Sequence, residues 1–501
     1  MRATGQPLTW RVRAQTTFDA VVERPMALFV ALFVIFLLVY GASIFLIPKR
    51  YGRLIVGDGI YYFVYLRSAV LDGDLHFQND YEIYQSFNTE DLRKKQEMLE
   101  RKTPIGMPAN LFSVGPAVLW APIFLLTHFV AALLGRAGDG FAFWYQAPVM
   151  WLSIAYGFVG ILLMYRVAAR MFSKFAAFVS ILGIWLATNV VYYMGISPSA
   201  SHVLSMFASA LFVYLWWRWW GPHPGPLLRG KGGKPHPDPR LQGEGVGGRM
   251  YWKWFVWGLS AGLMALVRWQ DVLIALLALL EWMTVFRDER QRTKRIPLVL
   301  FVNGALFVAG MALAFLPQML AWNILYGSPL TAPQGGGFFQ WLRPEMLNVW
   351  FSTKRGLFSW SPLLLLAVIG FAPLYLKNRV LGAAAILIFV AESYINSIVN
   401  DWWGGEAFGA RRFISLMPFF ALGLAALIDA LMQSVKTRAY LSQKAVVIIL
   451  AALIVWNNLF VLQYNLWLKG IGHISAMPTL QEMTLDKFTA PFLLLDKLRG
   501  R

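Results

Sequence analysis

The sequence predicts an all-α integral membrane protein with about eleven transmembrane helices (about 10–13) and juxtamembrane helices in a large first extracytoplasmic loop. Hydrophobic residues make up 58% of the 501 and charged residues only 14%, whereas a soluble domain carries about 25% charged residues. The apolar residues come in runs of bilayer length rather than in amphipathic stripes. Between the runs sit clusters of Lys and Arg, so the formal charge of +19 (45 basic against 26 acidic) fits loops retained on the cytoplasmic side better than a nucleic-acid surface. A soluble enzyme, a coiled coil and a disordered chain are excluded, and nucleic acid is not an expected partner. Cysteine is absent, which removes disulfides, thiolate zinc sites and cysteine nucleophiles.

Residues 1–25 place Arg2, Arg11, Arg13 and Arg24 ahead of the first apolar run, 26–47. The leader is too long and the run too extended for a cleaved signal peptide, so a cytoplasmic N-terminus and a retained first helix are expected. Residues 48–143 form the extracytoplasmic loop. Its apolar run Leu111–Leu134 contains Pro116 and Pro122. Making it a span would carry Arg166, Arg170 and Lys174 outside, so it is expected to lie in or dip into the outer interface. The multi-span domain covers 144–465, with helices near 144–165, 175–194, 200–219, 252–268, 271–286, 296–325, 362–376, 380–399, 413–432 and 445–465. Its cytoplasmic turns carry Arg166, Arg170 and Lys174; Arg287, Arg290, Arg292, Lys294 and Arg295; Lys377 and Arg379; and Lys436, Arg438 and Lys444. Residues 466–501 read as a short extracytoplasmic C-terminal tail.

The stretch 221–249 has a different composition. It is rich in Gly and Pro, has no apolar period, and repeats itself: Pro222-His223-Pro224-Gly225-Pro226-Leu227-Leu228 returns as Pro235-His236-Pro237-Asp238-Pro239-Arg240-Leu241. Its two His lack a third ligand at suitable spacing for zinc. A disordered cytoplasmic insert is expected.

Carboxylates are scarce, which makes their placement informative. The first outward loop holds Asp58 between Gly57 and Gly59, then Asp72, Asp74, Asp80 and Glu82. Tyr61, Tyr62 and Tyr65 suit the headgroup level, where a ring has one wet and one apolar side. A carboxylate in that partly dry region is open to tuning as a general base; the plain alternative is a solvated acid or a helix cap, and Asp72-Gly73-Asp74 also reads as a turn. Outward Arg residues run against the charge bias and need a reason. Arg268, Arg355, Arg411 and Arg412 are such residues, and the forked guanidinium suits phosphate. The alternative is pairing with lipid headgroups or with Asp401 and Glu406. Trp402 and Trp403 offer stacking surfaces beside them. Together these features suit group transfer from a lipid phosphate at the outer face.

The order of these features resembles the GT-C superfamily of integral-membrane glycosyltransferases, which use lipid-phosphate sugars and include protein O-mannosyltransferases, the transferase adding aminoarabinose to lipid A, and oligosaccharyltransferases. The resemblance rests on Gly57-Asp58-Gly59-Ile60-Tyr61-Tyr62 soon after the first helix, Leu71-Asp72-Gly73-Asp74-Leu75, the interfacial run around Ser113-Val114-Gly115-Pro116, Ser201-His202, Arg268, and the segment Trp402 to Arg412. It implies a GT-C-like fold and an inverting transferase moving a sugar from a polyprenyl-phosphate donor to a lipid, glycan or protein hydroxyl. It also implies a bacterial inner membrane with the active site outside. Asp58 would be the catalytic base, with Asp80 or Asp74 as a second acid. Arg411, Arg412, Arg355 and Arg268 would bind the donor phosphate. Tyr61, Tyr62, His202, Trp402, Trp403 and Glu406 would line the substrate pocket. Asp58 has no adjacent acid, so a divalent cation, Mg or Mn, stays an open expectation. The rival reading, a multi-pass transporter or lipid-linked flippase, calls for buried ionisable residues near the midplane and a repeat of helices; no helix repeat is visible, and of Glu281, Asp429 and Glu392 only Glu392 is expected to be buried at depth.

Deleting residues 221–249 should leave folding and sugar transfer intact, checked by size-exclusion chromatography and a transfer assay. A deletion variant that folds but is inactive would overturn this reading of the insert.

Overall fold

Long apolar runs satisfy their own backbone groups as helices, the one open-chain solution available in lipid. The computed structural model describes residues 18–46, 54–87, 97–136, 138–221, 251–293, 298–335, 337–434 and 442–499. Among these residues no strand forms, and extended pairing is limited to two isolated bridges, Lys102 with Pro108 and Phe339 with Val399. The insert lies outside the described residues from 222 onward.

The first helix, α1, is Met26–Leu46. The first loop then carries α2 (Gly59–Arg67), α3 (Gln78–Phe87) and α4 (Gly115–Leu133). The long α5 (Phe143–Met171) is followed by α6 (Lys174–Leu186), α7 (Val190–Gly195) and α8 (His202–Trp220). Next come α9 (Tyr251–Val267), a 3-10 turn at Trp269–Ala275, α10 (Leu276–Thr293) and α11 (Leu298–Tyr326). Four short helices follow: α12 (Met346–Phe351), α13 (Leu357–Trp360), α14 (Leu363–Ile369) and α15 (Phe371–Lys377). The last set is α16 (Arg379–Ser397), a 3-10 turn at Arg411–Leu416 leading into α17 (Met417–Gln433), α18 (Gln443–Trp467), α19 (Leu480–Thr484) and α20 (Ala490–Leu498).

Every expected span falls on helix, but the count differs. Among the described residues eight helical segments are long and apolar enough to cross a bilayer: Met26–Ile44, Gly115–Leu133, Phe143–Met171, Trp269–Arg287, Leu300–Tyr326, Arg379–Ser397, Arg411–Gln433 and Gln443–Trp467. The expected helix 175–194 divides into α6 and α7, and 362–376 divides at Gly370 into α14 and α15. The run expected to lie in the outer interface folds as the unbroken α4, with Pro122 inside it and length and apolarity sufficient for a crossing. It packs antiparallel to α5: Trp120 Nε1 donates to Ser153 Oγ (2.8 Å), and Phe124 lies against Tyr145. The segment Arg411–Gln433 is the central one, 83% buried, whereas α18 and Leu300–Tyr326 are about one-fifth buried and face outward.

The helix ends sort by charge. Lys174 pairs with Glu23 just ahead of α1, while Asp429 accepts from Ser173 N (3.1 Å) and from Lys377 Nζ (3.4 Å). The basic clusters at 166–174 and 377–379 therefore share one end of the bundle. Arg411 stands at the opposite end of the 411–433 segment, about 27 Å away by helical rise.

The first loop is a packed scaffold. Every residue of α2 is buried. Tyr61 stacks on Phe112 (4.6 Å), Phe63 meets Phe124 edge-on (5.6 Å), and Asn110 Nδ2 donates to Tyr61 O (2.7 Å). Gln146 Oε1, on α5, accepts from Leu54 N (3.0 Å) and Ile55 N (3.1 Å) and fixes where the loop begins.

Helices α9 and α11 touch through small residues, as membrane helices do where backbones approach closely. A Cβ on Gly258 would stand 2.0 Å from Phe307 O, and one on Gly310 would stand 2.2 Å from Phe255 O. Gly304 is different, its nearest foreign atom being Trp282 Nε1 at 3.5 Å. Gly258→Leu should therefore destabilise the protein by at least about 1–3 kcal/mol, read as a lower melting temperature in detergent. Gly304→Ala should be neutral or mildly stabilising, since Ala is favoured over Gly in a helix by about 1 kcal/mol.

Candidate functional site

Asp58 heads α2, and its position is set by backbone. Gly57 takes a left-handed conformation (φ 62°), Gly59 presses against Ser199, and Ser199 Oγ donates to Val56 O (3.2 Å). Arg411 arrives from the other end of the chain. Its loop, 401–410, turns through Gly404, Gly405 and Gly409, all at positive φ, before the 3-10 turn that opens the 411–433 segment. Arg411 Nη1 donates to Asp58 Oδ2 at 2.5 Å, joining positions 353 residues apart. The two side chains are 19% and 26% exposed, so the pair is sheltered but reachable.

Other predicted residues gather around it. Arg412 Nη2 donates to Asp401 Oδ1 (2.7 Å) and Nη1 to Asp401 O (3.1 Å). Arg268 meets Nδ1 of the buried His202, and Tyr193 packs edge-on to that imidazole (4.9 Å). Ser201 Oγ donates to the buried Tyr62 Oη (2.9 Å). Burial, and after it the Asp58 charge, pushes the Tyr62 phenol up to about 12, so it remains a neutral hydroxyl. Arg355 is buried, sits at φ 65°, and donates Nε to Ala407 O (2.7 Å). Lys354 Nζ lies 3.5 Å from the centre of the Trp403 ring. A small open cleft lies beside the pair, lined by Arg355, Trp402, Trp403, Gly404, Arg411, Arg412 and Asn396 among others; Asp58, Tyr62, His202 and Arg268 are outside its lining.

Not all the predicted residues join. Glu406 is exposed and does not line the cleft. Tyr61 belongs to the aromatic packing of the first loop. Asp80 and Asp74 are at the far end of α2, about 14 Å along the helix from Asp58. Asp80 is fully buried and accepts from Arg67 Nη1 (3.2 Å), which also pairs with Asp72; Asp74 accepts from Ser68 Oγ (2.9 Å) and His76 N (3.0 Å), as a turn acid does. The structure thus sets a structural Arg67 cluster apart from the Asp58 site and does not bring a second acid to Asp58.

Three participants were given no place in the site from the sequence. Tyr193 carried no signal beyond an aromatic in an apolar run. Asp401 appeared there only as a neutralising partner, the role it takes toward Arg412. Asp271 is fully buried behind Arg268 and accepts from Ser205 Oγ (2.5 Å). Near it, the equally buried Glu392 accepts from Asn396 Nδ2 (3.3 Å) and Gln270 Nε2 (3.5 Å).

Among the described residues no group of three or more His, Asp or Glu side chains is placed to hold a metal ion. The neighbours of Asp58 are guanidinium and phenol donors, a poor ligand set for Mg or Mn. No protein-family model matches the chain, and comparison with curated proteins finds no relative.

Burial pushes the Asp80 carboxyl up to about 6 from its ordinary 3.8, partly opposed by Arg67 and reinforced by Asp72. A carboxyl raised in the folded state binds protons more tightly than in the unfolded chain. It therefore costs stability as pH rises from about 4 to about 6, and the cost is then constant. Thermal melts in detergent across that window should show a falling midpoint, and Asp80→Asn should flatten the slope.

Proposed function

We propose that the protein is an inverting membrane glycosyltransferase of the GT-C kind, moving a sugar from a polyprenyl-phosphate donor to a lipid, glycan or protein hydroxyl at the outer face of a bacterial inner membrane. The observation that carries this reading is the meeting of Asp58 with Arg411, which lines a small cleft together with Arg412 and Arg355. Asp58 and Asp401 stand among four guanidinium groups, Arg268, Arg355, Arg411 and Arg412, a set with an excess of cations that suits an anion and also contains a proton acceptor. It lies at the helix ends opposite the basic clusters, which are expected on the cytoplasmic side.

The chemistry then follows from the residues. The acceptor hydroxyl oxygen forms a bond to the anomeric carbon while the bond from that carbon to the phosphate oxygen breaks. The bonding electron pair leaves with the polyprenyl phosphate, and the hydroxyl proton passes to the Asp58 carboxylate. Approach from the face opposite the leaving phosphate inverts the anomeric centre. Arg411 uses one of its five N–H donors on Asp58 and has others to offer a phosphate. A phosphate that draws Arg411 toward itself loosens its hold on the Asp58 oxygen, so donor binding would unmask the base. Tyr62, kept neutral, can donate to a developing negative charge. Trp402 and Trp403 offer faces to a sugar ring.

Asp271 and Glu392 favour a second reading, a transporter or lipid-linked flippase, because buried ionisable residues in membrane helices often mark a pathway. Asp58→Asn separates the two. The transferase reading expects transfer from a polyprenyl-phosphate sugar to fall about 10²–10⁴-fold with donor binding and folding retained. Movement of the lipid-linked sugar across proteoliposomes without any transfer by the unmodified protein would overturn it.

A further inference from the structure

After α18 the chain folds back along it. Lys487 is fully buried; its ammonium stands 3.5 Å from the centre of the Trp456 ring and 4.9 Å from that of Phe460, and it has no hydrogen-bond partner among the described residues. Trp456 and Phe460 are eleven and seven residues before Trp467, the end of α18. At about 1.5 Å per residue they lie about 16 Å and about 10 Å inside that end. Leu493, by contrast, is level with Gly472, beyond the helix end. The segment therefore descends along α18 from residue 480, reaches its lowest point near Lys487, and climbs again through α20.

The side of this hairpin turned away from α18 is apolar. Leu480, Leu485, Phe488, Phe492 and Leu495 are all exposed, and Phe488 meets Trp456 of α18, a helix of spanning length, edge-on (6.3 Å). The charged Asp496 and Lys497 are on the climbing end, where headgroups would meet them. Asp486, at the lowest point, accepts from Gln481 Nε2 (3.2 Å). A surface at the depth of Trp456 and continuous with the outer face of a spanning helix meets hydrocarbon, not water.

We propose that the hairpin 480–498 is immersed in the outer leaflet with its exposed face covered by lipid acyl chains, and that the Lys487 ammonium on the Trp456 ring is the pin that holds it to α18. The pin uses the attraction between a cation and a ring face, which strengthens where water is excluded. Its effect reaches the candidate site, because Phe460 also packs on Trp360 (4.5 Å) and Phe408 (5.6 Å), which back the loops carrying Arg355 and Arg411.

The absence of cysteine supplies the test. Phe488→Cys, Phe492→Cys and Asp496→Cys each introduce a unique thiol for a nitroxide label in the full-length protein, reconstituted in nanodiscs of phosphatidylethanolamine and phosphatidylglycerol. Power-saturation electron paramagnetic resonance should show oxygen collisions exceeding those of a nickel chelate several-fold at 488 and 492, and the reverse at 496. Nickel access at 488 and 492 would place the hairpin in water, and exclusion of both reagents would place it against protein; either result overturns the proposal. Adding Lys487→Glu to the 488 label should raise nickel access several-fold while the protein still elutes as a single species. Lys487→Gln, of similar length but uncharged, should mobilise the nitroxide spectrum and serves if the Glu variant does not fold. An unchanged spectrum in the folded variant would remove Lys487 as the pin.

Discussion

The structure depends on neutralising charge where water is scarce. A bilayer protein can carry ionisable groups at depth only if they meet partners, and here the partners come from distant parts of the chain. Asp58 and Arg411, Asp429 and Lys377, and Asp80 and Arg67 are each pinned by packing that neither member controls. The Asp58–Arg411 pair has the widest reach in sequence. It ties the scaffold of the first loop to the central 411–433 segment, so the pair exists only when both ends of the fold are in place. If one partner were removed, the other would be left sheltered and unpaired, which costs more than the pair itself gains.

That dependence explains what the sequence could disclose. Helix positions were legible because an apolar run of bilayer length has few other ways to satisfy its backbone. Asp58 was legible as a lone acid between glycines, and Arg411 and Arg412 as cations set apart from the basic clusters. Which cation meets which anion was not legible. Arg411 and Arg412 are neighbours with identical local chemistry, yet one reaches Asp58 and the other Asp401, and only the turn through Gly404, Gly405 and Gly409 decides between them. Asp271 was hard to interpret for a related reason: a carboxylate at the edge of an apolar run looks the same whether it faces lipid or a protein neighbour. The Leu111–Leu134 run was expected to lie along the interface because Pro122 and the Arg166–Lys174 cluster argued against a span. The helix forms through that proline and packs on α5, an arrangement that an interfacial placement also allows.

Two layers of polar groups serve the cleft differently. Arg355, Arg411 and Arg412 line it, while Asp271, Glu392 and Ser205 lie behind, buried in the helices. Carboxylates behind a cationic wall offset part of its mutual repulsion. This is a physical reason for Arg268, Arg411 and Arg412 to coexist so close together, whatever the cleft binds.

Arg355 is the one residue other than glycine with a left-handed backbone among the described residues, at φ 65°. Such a conformation costs an L-residue roughly 1–2 kcal/mol that glycine would not incur. The chain tolerates that cost while sending the guanidinium toward Ala407 O and the cleft. Position 355 is therefore a place where selection for heat resistance and selection for ligand affinity pull apart. A screen for thermotolerant variants would drift toward glycine there and shed the guanidinium that lines the cleft as it did so.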